Sequence, residues 1–341
     1  MLPNFFAWSI ALLAVIAFSG ATHDIATDGV YMTELSKSDQ AKYIGWQGAF
    51  YNIAKIVASG GLVYLAGWLV KRFGGVEGAS GEVVYEANVH AWMIVMFVMA
   101  IVMISLGLYH TRMLPSGGAA TSEATSFKET FDKLVEVILD FFKKKHIWYY
   151  IAFIILYRFA EGFVMKIVPL FLKAGREIGG LGLSEQEIGI YYGTYGAAAF
   201  VLGSLLAGYY ISHRGLKKTL FSLCCTFNLP FIAYTLLAIY QPTSGMLIGG
   251  AIVLEYFGYG FGFVGLTLFM MQQVAPGKHQ MAHYAFASGI MNLGVMLPGM
   301  VSGFVSDWLG YRDFFIFILF ATIPAFLITY FVPFTYPDTK K

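Results

Sequence analysis

Charge is what this sequence has least of. Asp, Glu, Lys and Arg make up 12% of its 341 residues, where a soluble domain carries about 25%. That share is too small to cover a water-facing surface, so a soluble globular fold is excluded. The net charge is only +2, which leaves no strong field for a nucleic-acid partner. Cysteine is nearly absent too. The two present, Cys224 and Cys225, are adjacent in an apolar run and read as packing residues rather than a disulfide or a metal site. The seven histidines are dispersed, with no metal-ligand spacing, and no G-x-S-x-G elbow occurs. A membrane enzyme therefore has the weakest case, and neither a metal nor a cofactor is expected.

What is present is apolar: 58% of the chain is hydrophobic. The apolar residues fall into runs of about 20, the length that crosses a ~30 Å hydrocarbon core as a helix. Nine spans are expected, at 5–30, 43–70, 90–109, 147–172, 187–211, 219–240, 245–273, 283–304 and 313–334. The start does not read as a cleavable signal. Met1 to Phe5 carries no basic residue, and the apolar run behind it is too long for a signal core. Between the third and fourth spans, Ser126-x-x-Glu129 is a capping-box pattern. Phe127, Phe131, Leu134, Val135, Ile138 and Leu139 follow at helical spacing, and Lys143, Lys144 and Lys145 close the segment. This predicts an amphipathic helix lying at the membrane face. Lys and Arg divide fourteen to five between the two sides. Positive charge collects in cytoplasmic loops, so the linker and the C-terminus are expected there.

Three spans end alike. Gly67-Trp-Leu-Val-Lys-Arg-Phe-Gly74, Gly208-Tyr-Tyr-Ile-Ser-His-Arg-Gly215 and Gly303-Phe-Val-Ser-Asp-Trp-Leu-Gly310 each place a glycine late in a helix and another seven residues on. The first glycine is expected to admit a neighbouring backbone, the second a sharp reversal. The copies recur every three spans, so the repeating unit is a three-helix triple, with alternate triples inverted. The fifth-span copy, followed by Leu216-Lys217-Lys218, resembles the loop signature of the major facilitator superfamily. That resemblance implies four triples in two halves joined by a long cytoplasmic linker. The expected fold is thus an all-α membrane bundle of the major facilitator type. Residues 1–109 would form an N-terminal half lacking its first triple, 110–146 the linker, and 147–341 a six-helix half.

Ionisable groups in hydrocarbon cost several kcal/mol and are functional candidates by default. Here they gather on the first helix of each triple. His23, Asp24 and Asp28 lie on the first span, Arg158, Glu161 and Lys166 on the fourth, and Glu255 on the seventh; Lys55, on a second helix, stands outside the rule. Asp24 and Asp28 share a helix face, where two carboxylates resist joint ionisation and one can hold a proton. They read equally as a solvated helix end. Arg158 and Glu161 are spaced to pair, either as a neutral structural pair or as a cavity group. Lys166 either lines the cavity or snorkels outward, and Lys55 is a candidate partner for a first-span carboxylate. Asp24, Asp28, Glu161 and Glu255 are the expected proton-coupling groups. Arg158, Lys166, Lys55 and His23 are the expected solute contacts. The glycines of the seventh span, Gly258, Gly260, Gly262 and Gly265, read as close packing or as a bending gate.

These residues resemble one family in particular. Thr22-His-Asp24-Ile-Ala-Thr-Asp28 is similar to the S/T-x-D-I-x-x-D pattern in the fourth helix of AmpG-type permeases. Leu156-Tyr-Arg158-Phe-Ala-Glu161 resembles the L-Y-K/R-x-x-D/E pattern of their seventh helix. Glu255 before its glycines resembles the acid of the tenth, and His283-Tyr-Ala-Phe-Ala-Ser-Gly289 the start of the eleventh. The resemblance implies a proton-driven importer of muropeptides, or a related sugar- or peptide-containing solute, in a bacterial inner membrane. It also implies that the proton gradient stands in place of a cofactor, and that the chain is a monomer in the bilayer. Carriage of another anionic metabolite such as an acyl-CoA, and a non-transporting sensor on a transporter scaffold, are the competing readings.

Overall fold

The computed structural model describes residues 4–76, 78–115 and 126–337. Among them every regular element is helical. In order these are α1 (Phe5–Glu34), α2 (Lys37–Ile56), α3 (Val63–Arg72), α4 (Gly81–Met113), α5 (Phe127–Phe142), α6 (Ile147–Tyr157) and α7 (Phe159–Lys173). Then follow α8 (Glu185–Ile188), α9 (Gly196–Arg214), α10 (Leu216–Asn228), α11 (Phe231–Tyr240), α12 (Gly245–Phe269), α13 (Gln280–Ala321) and α14 (Ile323–Tyr330). Wider π turns at Val57–Leu62, Gly189–Tyr195 and Met270–Val274 join or extend helices. Such turns sit mostly at functional places, because they re-aim the side chains beyond them.

Six described helical stretches are long and apolar enough to cross a membrane: Phe5–Glu34, Gly81–Met113, Gln186–Arg214, Leu216–Tyr240, Gly245–Val274 and Gln280–Tyr330. Nine were expected, and the count differs at three places. Residues 147–172 are broken into α6 and α7 at Arg158. The stretch around 43–70 holds the π turn at Val57–Leu62 and includes side chains outside the described residues. The last two expected spans run together in one 51-residue stretch, within which Gly310 leaves helical geometry at φ 72 and ψ 162.

The chain forms two units. One holds residues 50–122 and packs α3 on α4 through Ala66, Leu69, Ala91 and Val95. The other holds residues 1–49 and 123–341. Its interior is built from close approaches at glycine. A side chain at Gly203 would run into Phe257 O, and one at Gly260 into Phe200 O, so α9 and α12 interlock backbone to backbone. On its other side α12 meets α10, where a Cβ at Gly262 would stand 2.7 Å from Leu223 O. Lipid tails give no hydrophobic drive between helices, so contacts of this kind supply the association. Cys224 is buried in this packing and bonded to Thr329 and Asn228. The apolar residues of α1 from Phe5 to Ile25 are exposed, as suits a surface against hydrocarbon rather than water.

The three glycine pairs differ in their two members. Gly74, Gly215 and Gly310 all adopt positive φ, at 89, 82 and 72°, a region where a Cβ is strained. Of the first members only Gly208 meets a neighbour: a Cβ there would lie 2.8 Å from Ala41 O. At Gly67 and Gly303 nothing among the described residues lies within 4 Å, so no close approach is seen at those two.

Candidate functional site

The helix break at Arg158 builds the main cluster. Arg158 sits between α6 and α7 at φ −107 and ψ 6, and Glu161 falls in the first turn of α7. The break turns Arg158 back along α7. Its Nε and Nη2 donate to the two oxygens of Glu161 at 2.5 and 2.7 Å. Arg158 is 5% exposed and Glu161 3%. This two-pronged pairing is the strongest geometry a guanidinium and a carboxylate can adopt. The guanidinium carbon also stands 5.2 Å from the centre of the Phe263 ring on α12. Tyr157 OH donates to Gly262 O at 2.9 Å and ties the end of α6 to the same helix. Gly162 keeps the turn close to α13, since a Cβ there would lie 2.5 Å from Val295 O.

Glu255 on α12 is 8% exposed and accepts one bond, from Tyr234 OH at 3.2 Å. Among the described residues no basic side chain pairs with it. Glu161, Tyr192 and Tyr256 lie within electrostatic reach. The Tyr192 and Tyr256 rings meet edge-on at 4.9 Å. One cluster thus holds two acids and a single base.

A second cluster lies on α1 and α2. Asp28 is buried, and its Oδ1 accepts from Gln47 Nε2 at 2.9 Å. The other end of that amide, Gln47 Oε1, is enclosed with no partner among the described residues. His23 and Asp24 are exposed, as is Lys166 on α7. The side chain of Lys55 lies outside the described residues. Among the described residues the Asp28 carboxylate is bonded by the Gln47 amide, nineteen residues away, which no local pattern announces. Tyr234, Tyr192 and Tyr256 were likewise missed, lost among the 22 tyrosines of the chain.

Outside the spans, Lys144 donates to three consecutive carbonyls, Val274 O, Ala275 O and Pro276 O, at 2.7, 3.0 and 2.6 Å. Burial pushes this ammonium down to about 8, and the nearby Asp140 carboxylate works against that shift.

Buried ionisable groups inside a bundle of apolar, membrane-length helices define a multi-pass membrane protein of the carrier kind. The chain belongs to the Major Facilitator Superfamily, whose sequence profile matches residues 1–274 and again 162–341. Membership places the chain among transport proteins, not enzymes. It is similar to the anhydromuropeptide permease of Escherichia coli, 23% identical over 322 residues, covering 94% of this chain and 59% of that protein. A Rickettsia typhi protein named putative transporter AmpG 2 is 24% identical over 217 residues, 60% of this chain and 48% of its own length. An uncharacterised protein of Haemophilus influenzae is 24% identical over 333 residues, 95% and 71% respectively. The chain thus spans about three fifths of the E. coli relative it matches. With these relatives it is AmpG-like within the superfamily.

Proposed function

We propose that the chain acts in proton-coupled uptake of a muropeptide, or a related sugar- and peptide-containing solute, across a bacterial inner membrane. The observation that carries this reading is the cluster of Arg158, Glu161 and Glu255, buried together with two acids to one base. A charge left unpaired in such a setting costs several kcal/mol. A proton on Glu255 removes that cost. A proton on Glu161 releases the guanidinium of Arg158, whose fork fits the carboxylate of an anionic solute through two hydrogen bonds. Asp28, buried beside the unpartnered Gln47 Oε1, is the matching proton site on α1. Asp24, His23 and Lys166, all exposed, extend the path toward water at either end. The name of the E. coli relative supports a muropeptide as the solute.

In this reading nine spans form three-helix units: three in 1–109, six in 147–341, with 110–146 as the linker. The fourteen-to-five division of Lys and Arg puts the linker and C-terminus in the cytoplasm. Transport proceeds by rocking of helix bundles about a midplane site, and the working unit is a monomer.

The experiment is uptake of radiolabelled anhydromuropeptide by proteoliposomes holding the purified chain. Accumulation is expected only with the outside more acidic, and Asp28→Asn should lower it while leaving insertion intact. Accumulation that ignores the gradient, or its absence under every gradient, contradicts the reading.

A further inference from the structure

Two consecutive glutamines lie in the π turn Met270–Val274 that ends α12, and both are buried. A π turn shifts side chains out of helical register, and these two amides serve different parts of the chain. Gln272 Nε2 donates to Lys37 O, at the start of α2, at 3.3 Å. Gln273 turns to the segment that follows α14. Its Oε1 accepts from Thr335 N at 2.9 Å and from Tyr336 N at 3.0 Å, and its Nε2 donates to Tyr336 O at 2.8 Å. One side chain thus bonds the backbone of this tail as a neighbouring strand would.

The tail is held from two sides. On one, Tyr150 OH of α6 and Thr335 Oγ1 are 2.7 Å apart, and the Phe334 ring meets Phe269 of α12 edge-on at 5.5 Å. On the other, Lys37 Nζ donates to Pro337 O at 3.3 Å and stands 5.9 Å from the centre of the Tyr336 ring. The tail therefore bridges the end of α12 and the turn between α1 and α2. Gln273 is 2% exposed, and its three bonds all go to the tail. A buried amide stripped of its partners is costly, so this glutamine is satisfied in its buried place only while the tail covers it.

We infer that residues 333–337 are a latch that holds the start of α2 against the end of α12. Gln273 clamps the tail to α12, and Lys37 joins the tail to the α1–α2 turn. For that turn to part from α12, the tail must let go of one anchor. The two anchors are unequal. The Gln273 clamp is buried and makes three bonds. The Lys37 arm is half-buried and rests on one charge-assisted bond and a ring face. The arm therefore releases first, and the tail stays on α12. The direct bond from Gln272 to Lys37 O adds to the same closure. The inference rests neither on the identity of the solute nor on proton coupling, since it concerns one end of the bundle opening or staying shut.

Spin-label distances in the whole chain, held in lipid nanodiscs, read the parting directly. Cys224 and Cys225 are changed to Ala, and labels are placed through Glu34→Cys and Lys218→Cys, both at exposed positions. Wild type should show mainly one short distance. Stopping the chain after Val332, and Gln273→Ala, should each raise a longer-distance population about tenfold, the ratio that one to two net hydrogen bonds supply. Lys37→Met should raise it about threefold, while hydrogen exchange at the Thr335 and Tyr336 amides stays slow because both remain on Gln273. In Gln273→Ala the same amides should exchange fast. A distance distribution that stopping after Val332 leaves unchanged overturns the inference. So does a Gln273→Ala chain that opens while Lys37→Met does not.

Discussion

Replacing Glu161 by Gln keeps the side chain's shape and removes its charge. The guanidinium of Arg158 is 5% exposed and makes both described hydrogen bonds to this one carboxylate, at 2.5 and 2.7 Å. The change leaves a buried cation with a single amide oxygen where it had two charged acceptors. Breaking one side of such a pair costs about 3–5 kcal/mol. The Phe263 face, 5.2 Å away, is present before and after the change and cancels in the difference. A loss of about 3–5 kcal/mol follows. Removing both charges is different: with Arg158→Met and Glu161→Met together no ion is stranded, and the stability should return to within ~1 kcal/mol of wild type or exceed it. Titration from a mild detergent into a denaturing one, followed by tryptophan fluorescence, gives the unfolding free energies of wild type, both single changes and the double change. A Glu161→Gln protein as stable as wild type refutes the reasoning. So does a double variant whose loss equals the sum of the two single losses, because that would mean the two groups do not act as a pair.

Gly260→Ala should destabilise the chain by about 1–3 kcal/mol, because its Cβ collides with Phe200 O on α9. Gly67→Ala, with nothing within 4 Å, should be neutral or gain about 0.5–1 kcal/mol from helix propensity; equal effects in the same detergent titration would discredit the contact reading. Gly310→Ala should cost about 1–2 kcal/mol, since the residue holds a φ of 72° that disfavours a Cβ. Tyr234→Phe removes the one hydrogen bond to Glu255 and should cost about 1–3 kcal/mol if the carboxylate keeps its charge. A smaller loss would show that the acid is satisfied by other means.

What could be read in advance followed from what is local. The positive φ at Gly74, Gly215 and Gly310 is a property of each turn's own backbone, so a repeated glycine advertises it. The approach of Ala41 O to Gly208 is a property of a second helix, and the same spacing at Gly67 and Gly303 carries no such neighbour. The bond of Arg158 to Glu161 spans three residues, within reach of sequence reasoning. The break that positions it was hidden, because the apolar run from Ile147 to Leu172 is unbroken in hydropathy except for the charged residues themselves. Gln47 beside Asp28 and Tyr234 beside Glu255 depend on how distant helices pack, and uncharged polar residues raise no alarm in a membrane sequence. The linker offers the same lesson. Its capping serine, Ser126, bonds Glu129 N at 3.3 Å within one turn, whereas the three carbonyls that hold Lys144 lie some 130 residues away in sequence.

Coupling of solute movement to protons is the centre of the account, and proton flux tests it most directly. Proteoliposomes holding the chain and a trapped pH-sensitive dye, with no gradient imposed, are given anhydromuropeptide on the outside. The account predicts that the interior acidifies when the solute is added, and that Glu255→Gln and Asp28→Asn weaken or abolish the response. Entry of the solute with no change in internal pH, or with the interior turning alkaline, would contradict it.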